Sequence, residues 1–249
     1  MSTPRFYCAP DISDKLALDA SIKLPDNAAN HATRALRLSL GDDAILFNGD
    51  GQDYLAELTF VKKNEVTAKI KSIKPVINES PLRITLVQAI SSGDRMDFTI
   101  QKAVEMGVTA IQPIASQRSV VKLSGERAEK RREHWQNVVI SACEQSGRAV
   151  MPQVAAPLSL ANWLAGAPVF STRITLAPNA SETLKTLAKP SGDICLLIGA
   201  EGGLTEDEIS LAALQGFTPV RLGNRVLRTE TAALAAIAAM QSIWGDFCS

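Results

Sequence analysis

The sequence predicts an α/β protein in two parts. A small β-rich domain comes first, and a larger domain on a mainly parallel sheet follows. Three observations carry this reading. Strand-like runs flank glycine turns in the first part, a proline-bearing segment follows, and beyond it buried apolar runs alternate with helical patterns. A chain of 249 residues has room for such a pair of domains.

The β-rich part spans residues 1–73. In AILFNGDGQDYLAELTFV, the runs Ala44 to Phe47 and Tyr54 to Val61 flank Asn48-Gly49-Asp50-Gly51. Asn-Gly and Asp-Gly supply the positive φ of a tight hairpin. VTAKIKSI, Val66 to Ile73, alternates like a half-buried strand. Asn27 to Leu38 reads as a short helix, and the whole as a small antiparallel barrel or sheet. Lys74 to Leu82, KPVINESPL, is the expected linker.

The second part spans residues 83–249. LRITLVQAI is a continuous apolar strand, and DRMDFTIQKAVEMGV is a helix with Met96, Ile100, Ala103 and Val104 on one face. AIQPIA is a short strand, and Arg127 to Gly147 a long helix. VFSTRITLA, DICLLIG and PVRLG add three strands. Alternation of this kind predicts a parallel sheet covered by helices.

Composition narrows the function classes. Hydrophobic content of 46% fits a globular core, and no run approaches the roughly 20 apolar residues of a membrane span. The opening MSTPRFYCAPDISDK has no apolar signal core, which predicts a cytoplasmic protein. Cys8, Cys143, Cys195 and Cys248 form no CxxC pair, and two histidines are present, so no metal site is expected. The 26 basic and 26 acidic residues balance, with pI near 6.7. Any nucleic-acid contact must then rest on local charge. RSVVKLSGERAEKRR, Arg118 to Arg132, is the one run that qualifies, with six basic and two acidic residues.

Ligand sites are expected where strands end. The candidates are LAPNAS (Leu176 to Ser181), IGAEGGLTEDEI (Ile198 to Ile209), LGNRVLRTE (Leu222 to Glu230) and the basic region after Ile114. In the second, glycines around Glu201 permit close backbone approach to a ligand, and Thr205 with Glu208 fits a capping box. No Walker A or GxGxxG pattern is present. In the third, an alanine-rich helix follows, with Thr229 as its expected N-cap. Arg225 and Arg228 precede it, and cations oppose the positive end of a helix. A surface salt bridge accounts for Arg225, and a role in a site for Arg228.

IGAEGGLTEDEI, LGNRVLRTETAALAA, QKAVEMGVTAIQPIASQRSV and SACEQSGR closely resemble the RsmE family, ribosomal small-subunit RNA (uracil-N3)-methyltransferases of the SPOUT superfamily. PRFYC and HATRALRL resemble its N-terminal domain. The resemblance spans nearly the whole chain. It implies a PUA-like β-barrel that binds RNA, then a SPOUT domain with a C-terminal trefoil knot. It also implies S-adenosylmethionine as methyl donor, homodimerisation, and 16S rRNA as substrate, in the assembled small subunit. The implied cofactor residues are Leu176, Ala177, Pro178, Ile198, Gly199, Ala200, Glu201, Gly202, Gly203, Leu222, Gly223, Val226, Leu227 and Arg228. Ala200 and Asn224 stand where the family commonly has proline, and neither change removes a polar group or a glycine.

Uracil N3 is protonated at neutral pH, and losing that proton spreads negative charge onto the ring oxygens. A guanidinium stabilises such charge. Arg228 is the expected catalytic residue, with Glu201 orienting an arginine or assisting deprotonation. Arg5, Arg34, Arg37, Lys102, Arg118 and Arg148 are the candidate RNA contacts. The alternatives are a non-catalytic RNA-binding assembly factor on the same fold, or a SPOUT methyltransferase with another RNA target.

Overall fold

The computed structural model describes residues 3–9, 12, 15–119 and 125–248. Residues 120–124, in the middle of the basic run, lie outside that set. The chain divides into two units, Met1–Glu79 with Cys143–Met151, and Ser80–Ala142 with Pro152–Ser249.

The first unit holds a five-stranded sheet of β1 (Arg5–Tyr7), β2 (Ser21–Lys23), β3 (Asp43–Phe47), β4 (Gln52–Lys62) and β5 (Glu65–Pro75). Their order is β1-β3-β4-β5-β2. The expected hairpin forms: Gly49 and Gly51 take φ of +95° and +87°, and β3 pairs antiparallel with β4. Alternation puts Tyr54, Ala56 and Leu58 of β4 with Val66, Ala68 and Ile70 of β5 in one core, closed by Phe6, Ile22 and Leu46. The sheet is not wholly antiparallel, because β1 joins β3 in parallel. Only a tight turn forces antiparallel pairing, and the long connection from β1 to β3 imposes no direction.

Strand β4 changes face near its end. Its register against β5 shifts between Leu58 and Phe60, leaving Thr59 extra. A bulge of this kind re-aims the residues beyond it. Val61 therefore packs on the core, and Phe60 faces outward. Helix α1 (Asp26–Asn30) opens into a wider π-type turn, His31–Ala35, and Arg37 just beyond it has φ of +55°.

The second unit holds β6 (Ile84–Ala89), β7 (Ala110–Ala115), β8 (Gln153–Val154), β9 (Leu158–Ser159), β10 (Thr172–Leu176), β11 (Ile194–Ile198) and β12 (Thr218–Val220). The order is β12-β10-β11-β6-β7-β8, with β9 also on β7, and every pairing is parallel. Helices α2 (Asp94–Glu105), α3 (Gly125–Ser146), α4 (Leu160–Gly166), α5 (Glu206–Leu214) and α6 (Thr229–Trp244) accompany it. All five residues of β11 are buried, as a central strand covered on both faces requires. Each large aliphatic side chain there contributes about 1.5–3 kcal/mol by leaving water. Met96, Ile100, Ala103 and Val104 form the buried stripe of α2. On α6, Ala233, Ala236, Ile237, Met240 and Trp244 recur at helical spacing, and the alanines let it lie close against α2.

Strand β7 flanks β6 on one side and β11 flanks it on the other. The loops after β6 and β11 therefore lead to opposite sides, which opens a crevice at the carboxyl ends of the strands.

Candidate active site

The loops after β10, β11 and β12 enclose a cavity of about 310 Å³ at that edge. Leu176, Ala177 and Pro178 come from the first loop, Ile198 to Gly203 from the second, and Leu222, Gly223, Val226 and Leu227 from the third. Three stretches read from the sequence as ligand loops thus line one space. Its walls combine aliphatic side chains with exposed backbone, which suits an aromatic ring read along its polar edge.

The glycine loop is shaped by backbone packing. Gly203 N donates to Ala200 O at 2.8 Å, closing a tight turn in which Gly203 has φ of +71°. That bond orders the loop although Ala200 lacks the fixed φ of proline. A Cβ at Gly199 would stand 2.7 Å from both Gly203 C and Leu204 N, so this position admits glycine alone. Beyond the turn, the expected capping box is present: Thr205 Oγ1 accepts from Glu208 N at 3.2 Å, and Glu208 Oε2 accepts from Thr205 N at 2.9 Å. Glu208 is buried, and its Oε1 accepts from Gln117 N at 2.8 Å.

The start of α6 differs by one residue from expectation. Arg228 occupies the N-cap position and gives no side-chain cap bond, and Thr229 is the first helical residue. The threonine hydroxyl is used elsewhere. Thr229 Oγ1 donates to Gly199 O at 2.6 Å and accepts from Gln88 Nε2 at 2.9 Å. Both side chains are buried, so this cross-tie joins β6, the glycine loop and α6 away from water. Thr229→Val keeps the shape and removes the hydroxyl. We expect it to lower stability by about 1–3 kcal/mol, the cost of leaving buried polar partners unpaired. Affinity for S-adenosylmethionine, the methyl donor that the resemblance implies, should weaken several-fold as Gly199 loosens, and Thr229→Ser should restore most of both. Calorimetric titration of the three proteins checks this, and an unchanged affinity in the valine variant would break the link between cross-tie and loop.

Glu201 lines the cavity and is held from outside it. Its Oε1 accepts from Ser92 N and Ser92 Oγ, each at 2.8 Å, and from Arg95 Nη1 at 3.3 Å. Burial opposes ionisation of Glu201, but the amides of Ser92 and Glu201 itself, the Ser92 hydroxyl and the Arg95 charge outweigh it. The carboxyl is held below its ordinary value. A carboxylate so stabilised is a weak proton acceptor. Neither Ser92 nor Arg95 was singled out by sequence reading, because their link to Glu201 spans more than a hundred positions of chain.

The arginines separate into groups. Arg225 lines the cavity, whereas Arg228 is exposed and lies outside the lining. Among the described residues neither makes a salt bridge, contrary to the expectation for Arg225. Arg118 also lines the cavity, where its Nη1 donates to Gly202 O at 2.7 Å. A Cβ at Gly202 would come within 3.1 Å of the Arg118 side chain, so the arginine lies directly over the loop.

The other candidate cations are placed as follows. Arg5 is bonded to Asp53 at 2.6 Å with its guanidinium over the Phe47 ring, and its side chain is 9% exposed. Arg148 is ion-paired with Glu79 and 5% exposed. Lys102 is paired with Glu105 at 2.6 Å. Arg34 and Arg37 are exposed. The expectation of outward-reaching RNA contacts thus does not describe Arg5 and Arg148, which are folded into their own unit by carboxylates distant in sequence. His134 bonds Asp97 at 2.6 Å, and His31 meets the Phe6 ring edge-on. Burial pushes the Cys143 thiol up to about 11 and the Cys195 thiol up to about 12, so neither is a nucleophile at neutral pH.

A family profile described as RNA methyltransferase domain matches residues 78–241, and one described as RNA methyltransferase PUA domain matches residues 24–71. The chain is 34% identical over 246 residues to ribosomal RNA small subunit methyltransferase E of Buchnera aphidicola subsp. Acyrthosiphon pisum, covering 98% of this chain and 95% of that protein. The protein of that name from Bacillus subtilis is 32% identical over 219 residues, covering 85% and 86%. The crystal structure of ribosomal RNA small subunit methyltransferase E from Neisseria gonorrhoeae, bound to S-adenosyl methionine, matches with a TM-score of 0.91 at 46% identity, covering 99% of this chain and 100% of that one. A putative methyltransferase from Legionella pneumophila, in complex with the same cofactor, matches with a TM-score of 0.94 at 37% identity and the same coverage.

Proposed function

The chain belongs to the ribosomal RNA small subunit methyltransferase E family, and from that premise we propose that it methylates N3 of a uridine in 16S rRNA. S-adenosylmethionine, when bound, supplies an electrophilic methyl group. The observation that carries the reading is the cavity formed by the three loops, whose glycine wall a single Cβ would fill.

The chain's own residues have distinct tasks in this reading. Gly199 to Gly203 present backbone amides and carbonyls that would read the edge of an adenine, and Ile198, Leu222 and Leu227 would hold its faces. Thr229 and Arg118 hold the loop in place. Arg228, next to the cavity and unpaired among the described residues, donates to the uracil oxygens as N3 loses its proton. Glu201 stays ionised and orients Arg95 at the rim, which favours positioning over proton abstraction. A trefoil knot in this unit is part of the same proposal and rests on the family resemblance. Ile243 and Phe247, exposed at the end of the chain's last helix and just beyond it, support a homodimer. The domain limits 1–73, 74–82 and 83–249 belong to the same reading, with the β-rich part as the RNA-binding module. A cytoplasmic location belongs to the same proposal, with the ribosomal RNA it acts on; no helix among the described residues is long and apolar enough to cross a membrane.

Among the RNA candidates, Arg34 and Arg37 are left for phosphates. Arg5 and Arg148 serve the scaffold, and Lys102 is neutralised by Glu105. Labelled S-adenosylmethionine on small ribosomal subunits that lack the modification tests the function. We expect 3-methyluridine on nucleoside mass spectrometry. Label on a different nucleoside would assign another RNA target, and cofactor binding without transfer to subunits or free RNA would leave an assembly factor.

A further inference from the structure

The end of β4 and the turn into β5 carry a surface that the site above does not use. By alternation, Phe60 would follow Tyr54, Ala56 and Leu58 into the core. The bulge at Thr59 turns it out instead, and its side chain is 37% exposed. Leaving over a third of a large aromatic residue in water forgoes part of the gain of burial. The Lys62 ammonium stands 5.2 Å from the centre of that ring.

Cations gather around it. Lys62 and Lys63 are exposed at the hairpin tip, and the wide turn after α1 is tied to that tip. Thr33 Oγ1 donates to Lys63 O at 3.0 Å, and Arg34 Nη2 donates to Asn64 Oδ1 at 3.1 Å. Arg37 follows in left-handed backbone, a conformation that non-glycine residues hold only when their surroundings fix it. Among the described residues, Arg34, Arg37, Lys62 and Lys63 make no salt bridge. On the same sheet, Lys69 is paired with Asp19 and Lys71 with Asp43 and Glu57. The acid at the tip, Glu65, is taken by Lys23 at 3.0 Å. At the tip itself, Lys62, Lys63 and Arg34 thus keep their charge beside the outward ring.

We propose that this hairpin tip and the turn beside it bind a single-stranded segment of the ribosomal RNA. A base stacks on Phe60, and Arg34, Lys62 and Lys63 take the flanking phosphates. Stacking on an aromatic ring between cations is the general means of holding unpaired nucleotides. The proposal rests on the RNA reading above and adds a place and a strand state to it.

The test uses the full chain, with small ribosomal subunits that lack the modification as the RNA probe. Filter binding over a series of salt concentrations is measured for Phe60→Ala, Phe60→Trp and the double variant Lys62→Ala/Lys63→Ala. Titration with S-adenosylmethionine serves as the control for folding. We expect cofactor affinity within twofold of the parent in all three. Phe60→Ala should weaken RNA binding by about five- to a hundredfold, the usual range for one stacked base, and Phe60→Trp should preserve it. The double variant should lower the slope of log affinity against log salt by about 1.4, near 0.7 for each single-strand phosphate. RNA affinity within twofold for Phe60→Ala, in protein that still binds cofactor and methylates RNA, overturns the proposal and leaves the enzyme reading intact. A parent protein that binds cofactor but no RNA overturns both.

Discussion

Arg228→Ala is expected to slow methyl transfer by roughly a hundred- to a thousandfold, the usual effect of removing one donor aimed at developing negative charge. Cofactor affinity should stay within a few-fold, because the Arg228 side chain lies outside the cavity lining. The residue caps α6 by position alone and gives no cap bond, so its removal costs the fold little. Arg228→Lys should recover only a small part of the rate, since an ammonium cannot reproduce a planar pair of donors. Single-turnover rates with saturating cofactor are the measurement that separates these cases. A rate near that of the parent protein would remove Arg228 from the chemistry and turn attention to Arg225, which does line the cavity.

The second large effect is on binding. Gly199→Ala places a Cβ 2.7 Å from two backbone atoms, Gly203 C and Leu204 N. Flexible side chains can move away, but here the opposing wall is the loop's own main chain. The loop must shift, and the cavity it forms shifts with it. We expect cofactor affinity to fall by at least a hundredfold, about 2.7 kcal/mol or more. Overpacking should lower stability by about 1–3 kcal/mol. Gly166→Ala is the matched control. Nothing lies within 4 Å of its added Cβ, so that variant should be neutral or slightly more stable. Cofactor titration and urea unfolding of the two variants give the comparison. Tight cofactor binding by Gly199→Ala would show that the loop has slack that the packing denies.

Much of this arrangement is legible in the sequence because local rules govern it. Gly49 and Gly51 mark their hairpin, Thr205 and Glu208 their capping box, and the buried run at β11 its central strand. Three of the four stretches expected as ligand sites at strand ends line one cavity, to which the fourth contributes Arg118. What sequence does not disclose are pairings between distant segments. Thr229 looks like a cap by type and neighbourhood, yet its hydroxyl is committed to Gly199 and Gln88. Arg5 and Arg148 look like surface cations until Asp53 and Glu79 are seen beside them. Phe60 fits an inward alternation that one extra residue reverses. Strands β1, β2, β8 and β9 are two or three residues long, too short for any period to register.

The hydroxyl of Thr229 sets an order of events during synthesis. Gln88 and Gly199 leave the ribosome well before Thr229, and until α6 docks the glycine loop lacks its tie. The glycine loop therefore reaches its tied form only when α6 is in place. Ligand that binds the finished state alone also stabilises it, by an amount set by concentration over dissociation constant. By the same linkage, S-adenosylmethionine bound in the cavity favours the docked position of α6.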